Sequence, residues 1–175
     1  RGAAGVVVER QCDCELPQVR VMDTRKALGK LARAWRNEFT LPVIAVTGSN
    51  GKTTVREMIA AIMRAEHSVA YDSILVTQGN LNNDIGLPLT VLELREHHRA
   101  AVLEMGANHP GEITTLANIA GPQIGVITNA APAHLEGLGS IADVAVTKGE
   151  LLDELPQSGA AVLNCDDAFF DYWDK

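Results

Sequence analysis

Lys52 closes the run "TGSNGKTT" (47–54), in which Gly48 and Gly51 flank Ser49 and Asn50, and Thr53 and Thr54 follow the lysine. Glycines let a backbone turn with its N–H groups pointing inward. A helix starting near the lysine adds its positive dipole end, so the turn suits a polyphosphate, with Thr47 leading into it. Lys52 can then reach the terminal phosphates, and the Thr53 hydroxyl can ligate Mg2+. The widespread phosphate-loop pattern has one more glycine, five positions before Gly51, where this chain carries Val46. The competing reading is a glycine turn with a solvated lysine. Strand, turn, Lys-Thr-Thr and amphipathic helix coincide here, which favours the phosphate loop.

Three further residues could extend that chemistry. Glu104 ends the apolar run "AVLEMG", and a carboxylate in such a strand costs several kcal/mol unless a charge or a metal pairs with it. Beside a phosphate loop, Mg2+ is the expected partner. His134 follows "VITNAAPA", and Lys148 lies within a helical pattern. Taken alone, both read more readily as surface residues. His97 and His98, in "ELREHHR", read as solvated.

These residues need elements to hold them. "VIAVTG" is a continuous apolar run, as in a parallel strand buried on both faces. The next segment predicts a helix with Val55, Met58, Ile59, Ile62 and Met63 on one face. "SVAY" (68–71) predicts a weak strand, and residues 76–88 a polar loop running into a short helix with Pro88 in its first turn. "RAAVLEMGAN", "IGVITNA" and "GAAVLNCDD" predict further strands. Helices opened by Pro110 and Ser140 alternate with them. The expected fold is α/β, a mostly parallel sheet flanked by helices. The polar clusters 47–54, 104–109, 129–136 and 164–167 all follow predicted strands, the edge where such sheets bind ligands. Upstream, "GVVVE" and "QVRVMD" predict short strands. Thr24 is the expected cap of a helix with Leu28, Leu31, Ala32, Trp35 and Phe39 on its buried face. Pro42 marks a boundary, dividing the chain near residue 40.

Composition narrows the class. Hydrophobic residues make up 46% of the chain and charged residues 21%, ordinary for a globular domain. A net charge of −7 argues against a nucleic-acid groove. Cys12, Cys14 and Cys165 are odd in number and lack zinc spacing, as expected for reduced thiols in the cytoplasm. No apolar run approaches the roughly 20 residues of a membrane span, so no membrane role is expected.

"TGSNGKTT", "GNLNNDIGLPLT", "EMGANHPGEI", "ITNAAPAHLEGLGSI" and "KGELLDELPQSGAAVLNCDD" together resemble the Mur ligase family of ATP-dependent amide-forming enzymes. The shorter glycine spacing of the loop is that family's own form, and "VMDTRKALGKLA" resembles the end of its UDP-sugar-binding domain and the link that follows. The resemblance implies that residues 1–40 end a UDP-substrate-binding domain and that 41–175 are an incomplete central ATP-binding domain, with the carboxyl-terminal domain absent. It implies peptidoglycan precursor synthesis, with ATP, UDP-MurNAc-tripeptide and D-Ala-D-Ala as substrates and an acyl phosphate as intermediate. Two Mg2+ are implied: Thr53 and Glu104 match the first position, and His134 serves the second. Lys148 matches a lysine that carries a carbamate in members of the family, and it lies 14 positions after His134, as the family pattern has it. Asn80, Asn82 and Asn83 match the loop facing the substrate, while Asn108 and His109 receive no individual role. The 175 residues alone are expected to catalyse little. A monomer is expected. The third residue of the tripeptide, diaminopimelate or lysine, stays open. Two other readings are a folylpolyglutamate synthase-like ligase, which the Asn-rich segments disfavour, and a nucleotide-binding module without ligation, which would not need Glu104, His134 and Lys148 together.

Overall fold

The computed structural model describes residues 2–67, 71–132 and 138–175. Strands β1 (Val6–Val8) and β2 (Gln18–Arg20) pair in parallel as a small separate sheet. Helix α1 (Thr24–Arg36) follows, and the main sheet then begins. Its strands are β3 (Val43–Thr47), β4 (Ile74–Val76), β5 (Ala100–Glu104), β6 (Ile124–Ile127) and β7 (Ala160–Leu163). They are all parallel, in the order β4-β5-β3-β6-β7. The connecting helices are α2 (Lys52–His67), α3 (Gly86–Val91), α4 (Glu112–Ala120) and α5 (Ile141–Asp153), and α6 (Phe170–Trp173) is a last short turn that the sequence pattern did not signal.

From β3 the chain runs to the β4 edge, returns through β5 and then crosses to β6 on the far side. The loops leaving β3, β5 and β6 therefore meet at one switch point, where open parallel sheets bind ligands. Register makes this concrete, since Val46 pairs with both Glu104 and Val126 and Thr47 with Ile127. Strand alternation splits the core in two. Ile44, Val46, Ile74, Val76 and Val102 face α2 through Val55, Ile59 and Met63. Val43, Ala45, Leu75, Ala101 and Leu103 face a second layer built from α1, α3, α4 and α5.

Several expectations shift. The β4 strand is Ile74–Val76, preceded by a 3-10 turn at Tyr71–Ser73; "SVAY" mostly lies outside the described residues. Met58 and Ile62 on α2 are exposed, because the helix meets the sheet through Val55, Ile59, Ala60 and Met63. Asp23, not Thr24, caps α1 by accepting from Lys26 N at 2.9 Å. Helix α4 starts at Glu112, past Pro110. Ser140 does cap α5, in a reciprocal capping box with Asp143.

The buried stripe of α1 is Gly29, Ala32 and Arg36, whereas Leu31 is 55% exposed. Small residues let α1 lie close on α4: a Cβ at Gly29 would come within 2.9 Å of Ile119 Cδ1. Arg36 then reaches inside and donates to Ala120 O (2.9 Å), Phe39 O (2.6 Å) and Leu41 O (3.1 Å). It satisfies carbonyls at the ends of α1 and α4 and in the segment entering β3. Arg36→Met should orphan these carbonyls and cost about 2–4 kcal/mol in urea unfolding. A change below about 0.5 kcal/mol would show that water replaces the guanidinium freely.

Candidate active site

The loop between β3 and α2 is braced from β6. Gly48 has φ of 141°, and a Cβ there would run into Thr128 Oγ1; Gly51 has φ of 78°, where side chains are strained. Ser49 N donates to Asn129 O (2.9 Å), Asn50 N to Asn129 Oδ1 (3.0 Å) and Thr128 Oγ1 to Asn50 O (2.7 Å). Ser49 Oγ donates to Ala131 O and accepts from Ala131 N, and Asp167 Oδ2 accepts from Ala130 N. The clusters after β3, β6 and β7 are thus one bonded unit. Thr47 Oγ1, fully buried, donates to Met105 O and so ties in the loop after β5. The first N–H groups of α2 have no partner within the helix, and Thr54 is exposed on that opening turn. Lys52 folds over the loop and donates to Gly48 O (2.8 Å) and Ser49 O (3.3 Å).

Glu104 is 3% exposed and bonded through both oxygens. Its Oε2 accepts from Thr53 Oγ1 (2.9 Å) and Arg56 Nη1 (3.1 Å), and its Oε1 from Asn82 Nδ2 (2.9 Å). The partner expected from the sequence was Mg2+; the structure supplies a buried arginine, itself 4% exposed. Arg56 escaped the sequence reading, although it stands three residues after Thr53 and so shares its helix face. The two oxygens from Thr53 and Glu104 still suit a hard cation. A hydroxyl and a carboxylate oxygen side by side are the oxygen donors that Mg2+ would take.

A cavity of about 560 Å3 opens beside this network, lined by Lys52, Asn80, Asn82, Lys148, Asn108 and His109 among others. Asn80, Asn108 and His109 make no side-chain hydrogen bond to a described residue. Asn83 also lines the cavity, but its Oδ1 closes the start of α3 by accepting from Ile85 N (3.2 Å) and Gly86 N (2.8 Å). At the mouth, Arg25 of α1 pairs with Asp84 at 2.8 Å, a contact no sequence pattern announced. Two glutamates steady the loop after β5. Glu112 Oε2 accepts from Asn108 N and His109 N, and Glu150 of α5 accepts from Gly111 N and Thr114 N. His134 lies outside the described residues.

Lys148 is 2% exposed and makes no hydrogen bond or ion pair with a described residue. Burial first, and then the charge of Lys52, push its pKa down to about 8, against a smaller upward pull from Glu150 and Glu112. Burial lowers Lys52 as well, partly offset by Glu104.

A parallel α/β sheet with a lysine-bearing glycine loop at its switch point defines the phosphate-loop class of domain. Residues 46–175 match the model of the Mur ligase middle domain. The chain is 46% identical over 177 aligned positions to the UDP-N-acetylmuramoyl-tripeptide--D-alanyl-D-alanine ligase of Haemophilus influenzae, an alignment covering 100% of this chain and 38% of that protein. Among solved structures, MurF from Acinetobacter baumannii superposes with a TM-score of 0.89 at 41% identity, over 95% of this chain and 36% of that one. MurF ligase from Thermotoga maritima in complex with ADP superposes with a TM-score of 0.88 at 33% identity, over 98% and 39%. The chain belongs to the Mur ligase family, and it spans little more than a third of the length of these relatives.

The Lys148 environment has a measurable consequence. Between about pH 8 and the ordinary lysine value, the unfolded chain holds a proton that the folded chain has lost. Stability therefore rises with pH across that window, and the buried charge costs most below it. Lys148→Met should raise Tm at pH 7 and lose that advantage by about pH 10.5. An equal Tm difference at both pH values would show that Lys148 titrates normally.

Proposed function

We propose that this chain is the phosphate-loop part of an ATP-dependent ligase that joins D-Ala-D-Ala to UDP-MurNAc-tripeptide in peptidoglycan precursor synthesis. One observation carries the reading: Lys52 of the loop, Lys148 and the asparagines of the loop after β4 line a single cavity. The relatives' names and the ADP complex of one of them support it. Residues 41–175 hold the ATP, and residues 1–40 end the domain that holds the UDP-sugar.

The reaction runs in two transfers. A substrate carboxylate oxygen attacks the γ-phosphorus of ATP, the bond to the bridging oxygen breaks, and an acyl phosphate and ADP form. The D-Ala-D-Ala amine then attacks the acyl carbon, loses a proton and expels phosphate. Lys52 leaves its loop carbonyls for the phosphates, where it offsets developing charge. The N–H groups of residues 51–54, at the opening turn of α2, cradle the β-phosphate. Thr53 and Glu104 would hold one Mg2+, which when bound would offset the charge of the phosphate oxygens. Asn80, Asn82 and Asn83 orient the carboxylate substrate.

Lys148 as an ammonium repels a cation, and so does not fit a metal site in that form. A pKa near 8 leaves a useful share of free amine near neutrality. That amine adds to the carbon of CO2 and releases a proton, which turns a cation into an anionic oxygen ligand that hard Mg2+ favours. His134 would serve the second cation.

In the full-length enzyme, Lys52→Ala should lower both ATP affinity and turnover by about a hundredfold or more; ordinary kinetics in that variant would remove the loop from the mechanism. Lys148→Ala should lose most turnover and regain part of it with a small added carboxylate. Unchanged turnover would exclude the carbamate. Offering D-Ala-D-Ala and glutamate in parallel assays tests the acceptor, and preference for glutamate would overturn the peptidoglycan reading.

A further inference from the structure

Each carboxylate oxygen has two lone-pair directions. On Glu104, Oε2 has both in use, by Thr53 Oγ1 at 2.9 Å and by Arg56 Nη1 at 3.1 Å. Arg56 Nη1 also donates to Gly79 O at 3.3 Å, while Nε and Nη2 hold Glu57 Oε1 at 3.2 and 2.7 Å. On the other oxygen, Asn82 Nδ2 bonds Oε1, and Asn82 O accepts from Gly106 N. Thr77 Oγ1 accepts from Glu104 N, and further along the loop after β4 Gly79 and Asn82, which touch the Arg56 and Glu104 side chains, bracket Asn80, whose side chain bonds no described residue and lines the cavity. Arg56 thus sets a fixed positive charge where a cation between Thr53 and Glu104 would set its own.

We propose that Arg56 is a positioning residue that occupies Glu104 until a divalent cation takes that oxygen, and that this exchange couples cation loading to the loop 78–83 through Gly79 and Asn82. A cation arriving at Oε2 displaces the longer of the two hydrogen bonds, because two positive charges repel strongly at this depth. Glu57 keeps hold of the guanidinium, so Arg56 pivots on a tether instead of leaving. Its contact with Gly79 O changes as it pivots, and the carboxylate shift reaches Asn82 from the other side. A lysine keeps the charge but lacks the planar fork that spans Glu104, Gly79 and Glu57 at once.

The proposal rests on the reading of Thr53 and Glu104 as the cation's oxygens. The test uses the full-length protein with Mn2+ and a non-hydrolysable ATP analogue. Bound Mn2+ is read by electron paramagnetic resonance, and hydrogen–deuterium exchange of segment 77–84 is followed on the same samples. Loading should change exchange in that segment about fivefold or more in the parent protein. Arg56→Lys should bind Mn2+ within about threefold of the parent yet lose most of that response. Arg56→Met, if it folds, should bind Mn2+ more tightly and lose the response too; if it does not fold, Arg56→Lys decides alone. A parent that binds no Mn2+ with the analogue overturns the cation reading and the proposal together. Mn2+ bound with an unresponsive loop in the parent, or with an equal response in Arg56→Lys, overturns the coupling alone. An Arg56→Lys protein that no longer binds Mn2+ makes Arg56 part of the cation site itself and also overturns the exchange.

Discussion

A carboxylate cannot stay charged at 3% exposure unless its oxygens are matched, and Glu104 sits at that depth at the end of β5. Its partners come from three directions: Thr53 and Arg56 from α2, Asn82 from the loop after β4, and Thr77 Oγ1, which accepts from the Glu104 backbone N–H. Removing Thr53, Arg56 or Asn82 leaves the buried charge underpaired, and removing the Thr77 hydroxyl leaves a buried N–H without its acceptor. That requirement holds α2, β4 and β5 in one arrangement at the switch point, and the phosphate loop takes its position from the same helix.

The cavity beside Glu104 has the opposite imbalance. Lys52 and Lys148 line it together, and burial and then the charge of Lys52 push the Lys148 pKa down. Burying Lys148 without an ion pair to a described residue works against stability, and such perturbed groups cluster at functional sites. The fold tolerates this because the surrounding sheet is packed on both faces.

Around that charge, bracing side chains differ from free ones. Asn129, Thr128 and Asp167 spend their polar atoms on the phosphate loop and the segment after β6, and Glu112 and Glu150 spend theirs on the loop after β5. Asn80, Asn108 and His109 spend none on described residues and line the cavity. A rigid backbone with uncommitted side chains is what a positioning site needs, since reacting groups must be held without reorganising at the moment of reaction.

Much of this was legible in the chain itself. Apolar runs such as "VIAVTG" specify buried parallel strands, because only strands covered on both faces are apolar throughout. The glycine spacing before Lys52 specifies a turn that opens a helix, and Ser140 specifies a helix cap, because each depends on residues within a few positions. What the chain could not show was partner choice across distance. Leu31 and Met58 follow helical spacing yet face solvent, since the neighbouring helix or sheet decides which face is covered. Arg56 received no reading from the sequence and became the counter-ion of Glu104, 48 positions away. Lys148 became a buried amine beside Lys52 only because parallel crossovers bring α5 back over the same strand ends. Local chemistry is written in neighbouring residues, but burial and pairing of charge depend on which elements the sheet order sets side by side.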